Sequence, residues 1–126
     1  MDVYGDGSEV QWVDQKWIEE KLSTVNEFQS QRNQPIAVNE FGVMRWADGG
    51  HHYLTHQMEG FEKRGMNHAI WLWESSWKGV SWSSFNYRKG PHPNQKEDVS
   101  QSEILTTLKK FWARNGVTPS DVRGRW

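Results

Sequence analysis

Cysteine is absent from these 126 residues, which excludes a disulfide scaffold, an all-thiolate metal site and a thiol nucleophile. An excess of charge of one sign is also missing: 15 basic residues stand against 16 acidic ones, a formal net charge of −1. Without a polycationic surface, nucleic-acid binding driven by counterion release is not expected. No apolar stretch approaches the ~20 residues that cross a bilayer, so no membrane partner is expected. No signal-peptide-like apolar core follows Met1; on that reading the chain is intracellular or its N-terminal address is missing, and the compartment stays unknown. Aliphatic residues are scarce as well. Leu, Ile, Val and Phe make up only 24 of the 126 residues, a share that borders on disordered composition, whereas the near-zero net charge argues for a folded chain.

What the chain has instead is tryptophan, nine residues of it. Each indole buries roughly 150–250 Å², which compensates for the missing aliphatics. Nine such rings do not all fit inside one domain of this length. Some are expected on the surface or along a groove.

The segment up to Gln11 is polar and glycine-containing and reads as a loop. From Trp12 to about Gln31, Ile18, Leu22, Val25 and Phe28 recur at three- and four-residue steps, with Trp17 adjoining, which is the period of a helix. Pro35 stops it, because the residue before a proline is pushed out of the helical region. Pro35 to Gly42 is a short apolar run between a proline and a glycine, and it predicts a strand buried on both faces, as in parallel sheets. Asp48-Gly49-Gly50 is a turn. The next helix spans residues 51–64, with Leu54, Met58 and Phe61 as its buried stripe and Gly65 at the C′ position. A second strand covers His68 to Trp73. Residues 74–99 make a loop whose length marks it as functional or partly disordered. Ser100-Gln101-Ser102-Glu103 has the capping-box pattern and opens a last helix over 100–115, after which 117–126 is a polar tail. The order is helix, strand, helix, strand, helix, which predicts an α/β fold with parallel strands and right-handed crossovers. Two strands complete neither an open doubly wound sheet nor a barrel. The chain therefore reads as a single fragment-like α/β unit.

Glu40 is the most informative residue. Alternation puts Ile36, Val38 and Glu40 on one face and the carboxylate at the strand's C-terminal end, the end that carries ligands and catalytic groups in α/β folds. The competing reading is a strand-end carboxylate paired with a loop arginine such as Arg45. On the second strand Ala69, Trp71 and Trp73 share a face, with Trp73 nearest the rim, while Glu74 alternates away from it. Trp46, Trp77 and Trp82 fall on loops, where indole faces suit the axial C–H groups of sugars or cap a small core. Trp12, Trp17 and Trp112 belong to helices and are expected to pack against the sheet. No metal is expected. Tyr53 stands after His52 where a zincin with His56 needs a glutamate, and Asp2, Asp6, Gly7 and Glu9 lack the regular ligand alternation of a calcium loop. Ser75-Ser76 and Ser83-Ser84 have no histidine or acid at a recognisable spacing for a serine nucleophile.

Pro35-Ile36-Ala37-Val38-Asn39-Glu40-Phe41-Gly42 resembles the seventh-strand signature of family 5 glycoside hydrolases, the cellulase-type enzymes of the large retaining TIM-barrel clan. The likeness continues through Val43-Met44-Arg45-Trp46 and the helix bearing Phe61-Glu62 and Gly65. Ala69-Ile70-Trp71-Leu72-Trp73 is similar to the eighth strand, and Phe85-Asn86-Tyr87 with Gly90-Pro91 to the segment that follows it. It covers nearly the whole chain but only about the last third of a family member. The resemblance implies a partial (β/α)8 TIM barrel: the last two strand–helix units plus the preceding helix. It implies Glu40 as the catalytic nucleophile and Trp73 as the sugar-stacking platform, with Trp46 and Trp77 as further substrate contacts. The family's acid/base glutamate lies in an Asn-Glu-Pro motif that is not present here. The histidine and tyrosine expected from the fourth to sixth strands are absent too.

These features lead to the expectation of a retaining glycoside hydrolase acting on β-linked polysaccharide or oligosaccharide, present as a fragment without the acid/base half of its site. No metal or organic cofactor is implied. The alternatives are a non-catalytic carbohydrate-binding unit and an inactive structural fragment. Exposed sheet edges recruit partners, so a homo-oligomer is expected.

Overall fold

The computed structural model describes residues 14–72 and 84–115, and the backbone alone of residues 2–3 and 11–12. These residues form a mixed α/β unit. Strands β1 (Asp2–Val3) and β2 (Gln11–Trp12) pair antiparallel within the segment expected to be a loop. Helix α1 (Gln15–Arg32), strand β3 (Ala37–Phe41), helix α2 (Gly50–Lys63), strand β4 (Asn67–Ile70) and helix α3 (Glu103–Trp112) follow. β3 and β4 pair in parallel, Ala37 opposite Asn67 and Val38 opposite His68, with α2 as the connection between them.

Local chemistry sets the ends of these elements. The Asp14 carboxylate accepts from the Trp17 N–H at 2.8 Å, so α1 starts at Gln15 and Trp12 falls in β2 instead of the helix. Asn33 takes the left-handed conformation that closes α1, two residues before Pro35. At the end of α2, Gly65 has φ of +64°, its N–H bonds to the Glu62 carbonyl, and the Met66 N–H bonds to that of Phe61. That pair of bonds is a Schellman motif, and Met66 and Phe61 supply its hydrophobic contact. α3 departs from the expected capping box. Ser102, one residue before the helix, accepts from the Leu105 N–H at 3.0 Å, whereas the Ser100 carbonyl receives Lys109 Nζ at 3.4 Å. The serine next to the first helical residue is the one whose side chain can reach the N3 amide.

Helix α2 packs against both α1 and α3. Its stripe of Leu54, Met58 and Phe61 is buried, as its spacing predicts, and meets Ile18 and Leu22 of α1 and Ile104, Leu108 and Phe111 of α3. The α1–α2 contact is close enough that a Cβ on Gly60 would lie 2.5 Å from Leu22 Cδ1. Arg64 spans the same contact to Glu19 at 2.7 Å, and this hydrogen bond holds the Glu19 carboxyl below its ordinary pKa. Two rings of the sequence pattern stay outside the core. Phe28 is 49% exposed and Trp112 37% exposed, because three short helices cannot turn every apolar position inward.

Both strands were expected to be buried on two faces, and this is corrected by the structure. Val38, His68 and Ile70 are half-buried and Phe41 is buried, whereas Ala37, Asn39, Glu40, Asn67 and Ala69 are exposed. Ile36, Val38 and Ile70 pack on the helical core. The chain supplies one layer of helices, and one layer covers one sheet face.

The capping assignment has a direct check. Ser102→Ala is expected to lower unfolding free energy by about 1 kcal/mol in urea titrations, while Ser100→Ala leaves it unchanged within error. Equal losses at the two positions would contradict the assignment.

Candidate functional site

The ladder between β3 and β4 is irregular where it matters. Val38 pairs with His68 and Phe41 with Ile70, so β3 spends one more residue than β4 between the same two pairs. A bulge of this kind changes which face the following side chains take. Phe41 rejoins Val38 on the helix side, edge-on to Phe61 at 5.2 Å and to His68 at 5.4 Å between ring centroids. Burial in this cluster lowers the His68 pKa. Asn39 and Glu40 both fall on the uncovered face. The expectation that Glu40 shares a face with Ile36 and Val38 is thus overturned by the extra residue, yet Glu40 stays at the C-terminal end of β3 and in solvent. It makes no hydrogen bond or ion pair among the described residues.

Arg45 is not its partner. The Arg45 side chain is buried, and its guanidinium donates to the carbonyls of Gly90 and His92 and, at 3.1 Å, of Pro93. Desolvation lowers its pKa from the ordinary arginine value. Its backbone N–H donates to the Ser84 carbonyl at 2.8 Å. A second buried group works beside it. The Tyr87 hydroxyl accepts from the Val43 N–H at 2.8 Å and donates to the Val43 carbonyl at 2.7 Å. Burial raises the Tyr87 pKa far above the ordinary phenol value, with the Val43 backbone bond opposing part of that rise. Gly42 lies between these contacts. A Cβ there would fall 2.2 Å from the Trp71 carbonyl oxygen and 2.7 Å from the Tyr87 hydroxyl, so only glycine fits this crossing.

The end of β4 is joined to the same place. The Trp71 N–H donates to the Phe41 carbonyl at 2.7 Å, extending the parallel ladder by one bond. The Leu72 N–H donates to the Phe85 carbonyl at 3.1 Å, and the Tyr87 N–H to the Leu72 carbonyl at 3.4 Å. The Trp71–Leu72 peptide is cis. Beyond Tyr87 the loop is held by Asp98, which pairs with Arg88 and, at 3.1 Å, with Lys89.

Of the site residues expected from sequence, the structure places Glu40 and Trp46. Trp46 is half-buried, with the Arg45 guanidinium over its ring at 4.9 Å. Trp73, Trp77, Glu74 and Trp82 lie outside the described residues. Alternation along β4 puts Trp71 on the face of Ala69, the face that also carries Glu40, so Trp71 is the described indole that the ladder brings level with the carboxylate. Sequence reasoning passed over it in favour of Trp73, which is nearer the rim by count. The histidines form no metal centre: among the described residues no three His, Asp or Glu side chains converge. The His51 ring lies 3.9 Å from that of His52 and its Nδ1 is 3.3 Å from Glu103. Among the described residues no helix is long and apolar enough to cross a membrane.

No family model matches this chain, and no curated protein matches it. The functional argument therefore rests on the residues and their geometry.

Tyr87→Phe leaves a buried N–H and a buried carbonyl without their partner, and is expected to cost about 1–3 kcal/mol of stability. The unfolded chain releases its phenolic proton near pH ~10 while the folded state retains it. Wild-type stability should therefore fall as pH rises above ~10, and more steeply than that of Tyr87→Phe. Denaturant titrations of both proteins between pH 8 and pH 11 would test this; parallel pH profiles would contradict it.

Proposed function

We propose that the chain is the C-terminal segment of a retaining, family-5-type glycoside hydrolase. On this reading β3-α2 and β4-α3 are the last two strand–helix units of a (β/α)8 barrel, and α1 is the helix before them. Glu40 is the carboxylate that attacks the anomeric carbon of a β-linked glucan or related polysaccharide. One observation carries the reading: within Asn-Glu-Phe-Gly, Glu40 ends a parallel strand on the sheet face opposite the helices.

Retention requires two carboxyl groups about 5–5.5 Å apart, one to attack and one to protonate the leaving oxygen. The described residues assign only the first of these. General-acid assistance is worth ~10²–10⁴-fold, and misplacement of about 1 Å costs ~10²-fold more, so the chain alone turns over unactivated glycosides poorly. A leaving group stable as an anion bypasses the acid. A Glu40 oxygen then forms an ester bond to the anomeric carbon while the bond to the aryloxide breaks and the aryloxide departs with the electron pair. No metal or organic cofactor enters this scheme.

The test is covalent. Incubation with 2,4-dinitrophenyl 2-deoxy-2-fluoro-β-glucoside is expected to add one glycosyl group to the chain, mapped by peptide mass to Glu40 and lost in Glu40→Gln. No adduct, or an adduct on another residue, would remove Glu40 from the nucleophile role. The presence of a single assigned carboxylate favours a second reading, in which the segment binds glycan without cleaving it. That reading is distinguished by oligosaccharide binding that persists in Glu40→Gln and in the absence of any adduct.

The sheet also bears on association. Among the described residues β3 and β4 pair only with each other, and unpaired edges recruit strands from other chains. The chain is expected to run as a dimer or larger species in light scattering at micromolar concentration, and a monodisperse monomer would contradict this.

A further inference from the structure

Helices α2 and α3 begin side by side. A Cβ on Gly50 would stand 3.5 Å from Ile104 Cδ1, and His51 meets Glu103 across the gap. The surface dips between them twice. One depression, of about 130 Å³, is bordered by Trp46, Asp48 and Arg45. A wider, shallower one, of about 480 Å³, is bordered by Gln101, Thr106 and Thr107. His51, Ser102 and Glu103 line both, so the two are one groove running from the Trp46 indole to the exposed start of α3. Helices α2 and α3 start beyond the C-terminal ends of β3 and β4, which places the groove at the same end of the sheet as Glu40.

The lining decides what kind of ligand fits. Arg45 and His51 are matched by Asp48 and Glu103, so an anion would meet two carboxylates and a cation would meet the guanidinium. A neutral ligand meets neither penalty. The side chains of Asp48, Gln101, Thr106 and Thr107 make no hydrogen bond among the described residues, and together they offer hydroxyl and amide donors beside hydroxyl, amide and carboxylate acceptors. A partner whose hydroxyls both donate and accept matches such a set, and the indole at one end suits a face of C–H groups. We propose that this groove is an outer glycan-binding subsite, which holds a β-linked oligosaccharide several sugars away from the bond attacked at Glu40. The link to Glu40 rests on the function proposed above; binding in the groove does not.

The test uses the full chain and cellohexaose, followed by amide and indole shifts in two-dimensional NMR. Shifts are expected to cluster at residues 46–51 and 101–107, including the Trp46 indole N–H. The double variant Gln101→Ala, Thr106→Ala changes two surface side chains and is expected to weaken cellohexaose binding about tenfold. The same variant should leave labelling of Glu40 by the fluoroglucoside unchanged, because a single sugar does not span the distance. Trp46→Ala should weaken binding as well, with circular dichroism confirming its fold. Shifts elsewhere, no shifts at millimolar cellohexaose, or undiminished affinity in the double variant would each overturn the proposal. Groove shifts without a Glu40 adduct would instead overturn the catalytic reading and leave the subsite standing.

Discussion

The backbone of Val43 sets the constraint on which the rim of this protein depends. After Gly42 the chain leaves the ladder while still buried, and the N–H and carbonyl of Val43 would be stranded there. A single hydroxyl, contributed by Tyr87 from 44 positions along the chain, satisfies both. Buried backbone groups left unpaired are costly, so this contact fixes where residues 84–90 lie. Arg45 then extends the same logic to the carbonyls of Gly90, His92 and Pro93. Two side chains thus do for an irregular segment what a neighbouring strand does for a regular one. The requirement for glycine at position 42 follows, because the hydroxyl and the Trp71 carbonyl occupy the space a side chain would need.

A second consequence concerns the sheet. With one layer of helices, the face bearing Ala37 and Ala69 stays in water, and its remaining described residues are Asn39, Glu40 and Asn67. Such a face leaves little apolar area exposed and tolerates either solvent or a partner. The β-bulge decides that Glu40 belongs to this face. A regular strand would have turned its side chain toward Phe61 and His68, where a carboxylate would lie among rings. One extra residue in β3 therefore separates a buried liability from an accessible functional group.

Periodicity was enough to read the helices and both strands, because Leu54, Met58 and Phe61 or Ile104, Leu108 and Phe111 repeat at spacings that only a helix turns to one side. Gly65 was legible for the same reason: its place after the stripe coincides with the left-handed residue the termination needs. The bulge was not legible. Strict alternation was assumed through Glu40, and nothing in Val-Asn-Glu-Phe marks an extra residue. The position of Glu40 at the strand end survived that error, since it depends on the glycine at 42 and not on face. The role of Arg45 was also out of reach, because its acceptors are backbone carbonyls more than 40 positions away, and carbonyls have no sequence signature. Two-sided burial failed since it presumes a second layer, which a local reading of two strands cannot supply. Among the serines, proximity to the first helical residue outweighed the motif spacing.

The backbone bonds between Leu72 and the Phe85–Tyr87 segment have a further meaning. They stitch the chain together at the base of residues 73–83, so the frame is complete before that stretch begins and resumes where it ends. In polymer terms the stretch hangs from a closed neck, and doubling its length would add only about 0.6 kcal/mol of closure entropy. Its sequence and length are therefore free to drift, or to be exchanged by grafting, without disturbing Tyr87, Arg45 or the ladder. Three of the nine tryptophans sit in that interchangeable stretch, which makes it the part of the molecule where new specificity is acquired at the least risk to folding.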